Sequence, residues 1–101
     1  MTKPWYESCA NHALRFYFRH LDALPDEMPT PDFVIWRSCD EALEDCSSEN
    51  FAILREVYLQ KDTSMQEIVS KTAALFDVSE KRIWTLLNKT ARDFAKRRGL
   101  I

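Results

Sequence analysis

The sequence predicts an all-α fold, a single domain of about five helices. Three observations carry this. Apolar residues recur at helical spacing along four or five segments, and no segment carries a convincing strand alternation. One Gly and four Pro in 101 residues are too few for the tight turns of a sandwich or barrel. Hydrophobic residues make up 46 %, enough for a core in a chain of one-domain length.

The first helix is expected from about Pro4 to Ala23. Pro4 suits a first helical turn, and Tyr6, Cys9, Ala13, Phe16 or Tyr17, and Leu21 repeat at helical intervals. The LRFYFRHL stretch is apolar on nearly all sides, which reads as core, with docking on another chain as the alternative. A stiff connector follows, with Pro25, Pro29 and Pro31. It turns into a helix start: Thr30 as N-cap, Pro31 at the first helical position, Asp32 near the positive dipole end. That second helix runs to about Asp45. Phe33, Trp36, Cys39, Leu43 and Cys46 form one stripe, opposite Asp40, Glu41, Glu44 and Asp45.

Ser47 or Ser48 caps a third helix, Glu49 to Gln60, with Phe51, Leu54, Val57 and Tyr58 inward. After the polar loop QKDTS, Ser64 and Glu67 have capping-box spacing and start a fourth helix at Met65. Its apolar residues are Ile68, Val69, Ala73, Leu75 and Phe76. Ser79 caps a fifth helix, and Gly99 stops it, leaving Leu100 and Ile101 to fold back on the core. Residues 1–46 thus form an N-terminal helical part. Residues 47–101 form a trihelical helix-turn-helix.

Charge divides sharply along the chain. Its net value is −2. Residues 1–79 hold seven Lys and Arg against fourteen Asp and Glu, whereas residues 80–101 hold seven against two. An anionic partner for the last helix is one explanation; complementing the helix dipole is the other. The period of that helix sorts its residues. Ile83, Leu87, Ala91 and Phe94 face inward, and Lys81, Thr85, Asn88, Arg92 and Lys96 lie opposite, flanked by Arg82 and Lys89. A helix entering a major groove needs long donors near its N-terminus and cations along its length. Lys81, Arg82 and Thr85 suit the first role; Asn88, Lys89 and Arg92 suit the second. Ser79 combines a helix cap with a hydrogen bond to phosphate. Lys96, Arg97 and Arg98, about 20 Å or more along the axis at 1.5 Å per residue, reach backbone at most. Trp84 is expected to wedge against the second or third helix, with a DNA contact as the lesser reading.

The block SSENFAILREVYL…TSMQEIV…FDVSEKRIWTLL resembles region 4 of the sigma-70 family, and the small sigma-like regulators of phages and mobile elements. Glu67 and Ile68 match a Glu-Ile pair, Val78 and Ser79 the turn, Arg82 and Ile83 an Arg-Val pair, and Leu86 the following apolar site. The resemblance covers residues 47–98 and implies a DNA-binding transcriptional regulator, with Ser79, Lys81, Arg82 and Thr85 at DNA-facing positions. Phe76-Asp77 stands where family members place a Gly just before the turn's Val. The spacing from Ile68 to Val78 is also longer than in the family, by about one helical turn. The N-terminal half has no match to a promoter −10-binding region, so a working sigma factor is not implied.

Other classes fit less well. Neither a nucleophile motif, nor a Gly-rich phosphate loop, nor a paired-carboxylate motif is evident, so no catalytic residue is assigned and an enzyme is not expected. Cys9, Cys39 and Cys46 are odd in number and follow no secretion signal, which argues against a disulfide framework. Cys39 and Cys46, a heptad apart, are expected to point into the core, and Cys9 to be another small buried residue. A metal site built on Cys9, His12 and His20 lacks a second ligand pair, so no metal or other cofactor is expected. No run approaches the roughly 18 apolar residues of a membrane span, and the first residues lack a signal peptide's apolar stretch, so a cytoplasmic location is expected with no membrane partner. The serious alternative is a protein-binding module. There the helix-turn-helix is a scaffold, and the aromatic first helix contacts RNA polymerase or a second copy in a homodimer. The two readings can coexist, and duplex DNA is the partner that the charge pattern favours.

Overall fold

The computed structural model describes residues 4–22, 27–60 and 64–101. They form α1 (Glu7–Arg19), α2 (Thr30–Ala42), α3 (Ser48–Leu59), α4 (Met65–Phe76) and α5 (Glu80–Arg98), with no strand among the described residues. The first helix is shorter than expected at both ends, since Pro4 to Tyr6 and His20 to Asp22 are not helical, and the second ends at Ala42, before Asp45; Ala23, Pro25 of the connector and residues 61–63 of the polar loop lie outside the described residues. The five helices form one globule with a radius of gyration of 13.3 Å, close to the value of about 13 Å for a 100-residue domain.

Helix starts follow local chemistry. The Ser47, Ser64 and Ser79 hydroxyls accept hydrogen bonds from the backbone N–H groups of Asn50, Glu67 and Arg82, at 3.1, 3.3 and 3.1 Å. Each satisfies one of the donors that a helix N-terminus leaves unpaired. At α2 the cap falls one residue earlier than expected: Pro29 is the N-cap and makes no side-chain bond, and Thr30 is already helical. With Pro31 in the first turn, its missing N–H costs nothing there.

α5 is the hub and packs against α1, α2, α3 and α4, most extensively α2. Its inward residues Ile83, Leu87, Ala91 and Phe94 are buried as the period predicts, joined by Thr90 and Ala95. Thr90 donates to the Leu86 carbonyl at 2.8 Å, so its buried hydroxyl is satisfied within its own helix. α1 contributes Leu14, Tyr17 and Phe18. Phe18 stacks on Tyr58 and meets Phe51 edge-on, locking α1 to α3. The Tyr58 hydroxyl donates to the Asn11 side chain at 2.9 Å, and the Tyr17 hydroxyl to Asp40 at 2.8 Å. Asp40 therefore is not merely a solvated member of the acidic face of α2; it anchors α2 to α1.

Three further expectations need correction. Ile53 is fully buried, while Phe51, placed inward, is half-buried. α4 turns Ile68, Val69, Thr72 and Ala73 fully to the core, with Met65 and Phe76 packed at its edge, and leaves Leu75 65 % exposed. Cys9 is exposed, Cys39 buried, and Cys46 half-buried beyond the end of α2, so only Cys39 is a fully buried thiol. Leu100 folds back against the core, whereas Ile101 stays exposed.

Candidate nucleic-acid interface

The turn between α4 and α5 sets the direction of α5. Asp77 adopts the left-handed conformation, φ 54°, ψ 49°, and the Val78 N–H reaches back to the Ala73 carbonyl at 3.0 Å. This is the helix-ending geometry that Gly most often serves, and Asp is among the few other residues that tolerate it. The chain then extends through Ser79 and re-enters a helix at Glu80. Gly99, φ 79°, closes α5 in the same manner, with the Leu100 N–H on the Ala95 carbonyl at 2.8 Å.

Contacts from two neighbouring helices fix the first turn of α5. The Glu80 carboxylate accepts from the Gln66 amide of α4 at 2.8 Å. The Arg82 guanidinium lies 2.8 Å from a Glu49 oxygen and donates to the Asn50 side-chain oxygen at 3.2 Å, both in the first turn of α3. The solvent side of α5 then presents Ser79, Lys81, Arg82, Thr85, Asn88, Lys89 and Arg92, all exposed. From Lys81 to Arg92 this ridge extends about 16 Å at 1.5 Å per residue.

The cations on the ridge are not equivalent. Arg82 is held by Glu49 and Asn50. Lys89 donates to Asp93 at 2.7 Å, which raises its pKa, with a smaller contribution from Asp45. Lys81, Arg92 and Lys96 make no ion pair among the described residues. Sequence spacing alone could have flagged the Lys89–Asp93 pair at i, i+4. The Arg82–Glu49 pair spans two helices and leaves no local signal.

A groove flanks the ridge on each side. Toward α1, one of about 820 Å³ is lined by Pro4, Tyr6 and Glu7 on one wall and by Trp84, Asn88, Ala91 and Arg92 on the other. Trp84, expected against the second or third helix, borders this α1 groove and is half-buried. Toward α2 and α3, a groove of about 650 Å³ is lined by Glu41, Asp45, Cys46, Asn50, Leu86 and Arg97 among others. Lys89, Asp93 and Lys96 border both. Tyr6 and Glu7 were not among the sequence-derived site residues. They belong to a helix far away in the chain, and only the packing of α1 on α5 brings them here.

The other candidate chemistry finds no assembly. Cys9 and His12 are both exposed on α1, and the His20 ring nitrogen bonds the Phe16 carbonyl at 2.8 Å. Among the described residues no group of three His, Cys, Asp or Glu could hold a metal ion, and no helix is long and apolar enough to cross a membrane. Comparison of the chain with protein-family models, curated proteins and solved structures finds no match.

Proposed function

We propose that the protein binds double-stranded DNA through α5 and acts as a transcriptional regulator of bacterial or phage type, similar to region 4 of the sigma-70 family. One observation carries the reading: a capped helix whose inner face is core keeps Lys81, Thr85, Asn88 and Arg92 exposed along its outer face. A major groove about 12 Å wide admits such a helix, with side chains near its N-terminus at base edges. In this arrangement Lys81 and Thr85 face bases, Asn88 and Arg92 reach further along the groove, and Ser79 donates its hydroxyl proton to a phosphate while capping the helix. Arg82 and Lys89, which begin in intramolecular pairs, contact DNA only by exchanging those partners for phosphates.

A salt titration of duplex binding tests the reading. Affinity should fall linearly with salt on a log–log plot, with a slope of about −0.9 per phosphate contacted. Replacing Lys81 and Arg92 together by Ala should weaken binding and flatten the slope. Unchanged affinity in that variant, or salt-independent binding, would remove the DNA reading and leave the helix-turn-helix as a scaffold for protein contacts. Selection from a random duplex pool then gives the site, and any half-site spacing reports symmetry.

A further inference from the structure

We infer that Glu80 reads a base: its carboxylate, held by Gln66, accepts a hydrogen bond from the exocyclic amino group of a cytosine in the major groove. The inference rests on the DNA reading above and adds a residue and a base to it. Three features of the α4–α5 pair carry it.

The first is position. Glu80 opens α5 directly after the Ser79 cap and is exposed. Side chains on a helix lean toward its N-terminus, so those of the first turn reach past its end. That end is the part of a recognition helix that meets base edges.

The second is that the carboxylate is held but not neutralised. The Gln66 amide of α4 donates to Oε1 of Glu80 at 2.8 Å. Glu80 forms no ion pair among the described residues. Arg82, two residues on, is directed to Glu49 at 2.8 Å and Asn50 at 3.2 Å. The helix dipole favours an acid in this turn whether or not it is tethered; the tether to α4 adds a fixed direction. A negative charge fixed on a DNA-facing surface is unfavourable next to phosphates, and it becomes favourable only where the duplex presents a donor.

The third is the chemistry of that donor. An ionised carboxylate accepts hydrogen bonds and donates none. In the major groove cytosine presents its N4 amino group alone, and adenine presents an amino group beside the N7 acceptor. Guanine offers two acceptors, and thymine an acceptor and a methyl group. Cytosine therefore matches Glu80 best, and guanine and thymine leave the carboxylate without a donor. Lys81, next in the chain and exposed, donates only and has the opposite preference, for guanine O6 and N7. Gln66 acts through Glu80 and is a positioning residue.

The test is enrichment of bound sequences from a random duplex pool with the full chain, followed by titration of labelled duplexes that differ at single enriched positions. Wild-type protein should enrich C at the position that Glu80 reads, with roughly tenfold weaker binding when another base replaces it. Glu80→Gln should transfer the preference at that position to A, because a Gln amide donates to N7 and accepts from the N6 amino group, and should leave the other positions as they are. Gln66→Ala should keep C and narrow its advantage. Unchanged circular dichroism verifies the fold of both variants. If Glu80 serves only the helix or only repels phosphate, Glu80→Gln changes affinity for all duplexes by one common factor and enriches the same sequence as wild type. That result would overturn the inference and preserve DNA binding, as would wild-type protein that binds duplexes with no base preference. Wild-type protein that binds no duplex at low salt would overturn the DNA reading, and this inference with it.

Discussion

The Arg82 guanidinium and the Glu49 carboxylate, 2.8 Å apart, join the first turn of α5 to the first turn of α3. Both side chains are about half exposed, so the pair contributes at most about 1 kcal/mol of stability. Its larger consequence is electrostatic. It neutralises a cation that the helix-turn-helix reading would offer to DNA, and it fixes that cation's position through Asn50 as well.

Glu49→Gln should therefore leave folding nearly intact and strengthen duplex binding at low salt. It removes a negative charge from the side of the ridge and frees Arg82 for phosphate. The expected result is a steeper log–log salt slope, with a thermal midpoint within a few degrees of wild type. Weaker binding in this variant would mean that the pair orients Arg82 productively and does not compete with DNA.

Asp77 allows a sharper test of the turn. Its left-handed conformation suits Gly and is tolerated by Asn and Asp, but a β-branched side chain is strained there. Asp77→Val should destabilise by about 1–2 kcal/mol, while Asp77→Asn should remain within about 1 kcal/mol of wild type. Urea unfolding of the two variants reads the difference directly. Equal stability would show that α4 and α5 are not held together through this backbone conformation.

Legibility of the fold followed the range of the interactions. The Ser64 and Ser79 caps, the Gly99 stop and the inward stripe of α5 are local patterns legible in the sequence, whereas the choice of Ser47 over Ser48 as the α3 cap was not. The burial of Ile53 and the exposure of Leu75 depend on how α3 and α4 rotate against their neighbours, which a helical period does not fix. For the candidate site, the exposed face of α5 was legible because amphipathicity is local. The grooves beside it were not, because Asp45, Asn50 and Tyr6 come from three other parts of the chain.

The contrast between Phe94 and Leu75 tests the packing itself. Phe94 is 1 % exposed on the inward face of α5, so Phe94→Ala should cost about 3–5 kcal/mol through lost burial and the cavity left behind. That is a large part of the total for a small domain, typically about 5–15 kcal/mol. Leu75→Gln, at a 65 % exposed position, should change stability by no more than about 0.5 kcal/mol. Denaturant melts of both variants distinguish this core from one in which Leu75 is covered. A loss above about 2 kcal/mol for Leu75→Gln would show that a second chain buries this position.

Stability should fall at alkaline pH for a reason that three buried groups share. Burial raises the pKa of the Cys39 thiol from its ordinary 9.0, and burial raises the Tyr17 and Tyr58 hydroxyls from 10.0, with the Asp40 hydrogen bond adding to the Tyr17 shift. The unfolded chain releases these protons at the ordinary values, while the folded chain holds them to higher pH. Over that interval the folded state binds more protons than the unfolded state, so stability decreases as pH rises. The stabilisation is complete below pH 9.0, is lost first through Cys39, and is lost further above 10.0 through the two tyrosines. Urea midpoints measured from about pH 7.5 to 10.5 should stay level and then drop. In Cys39→Ala the first part of the drop should be shallower, with the half-buried Cys46 thiol, also raised from 9.0 by burial, still contributing there. A midpoint that stays level to the end of the series would contradict the burial of all three groups.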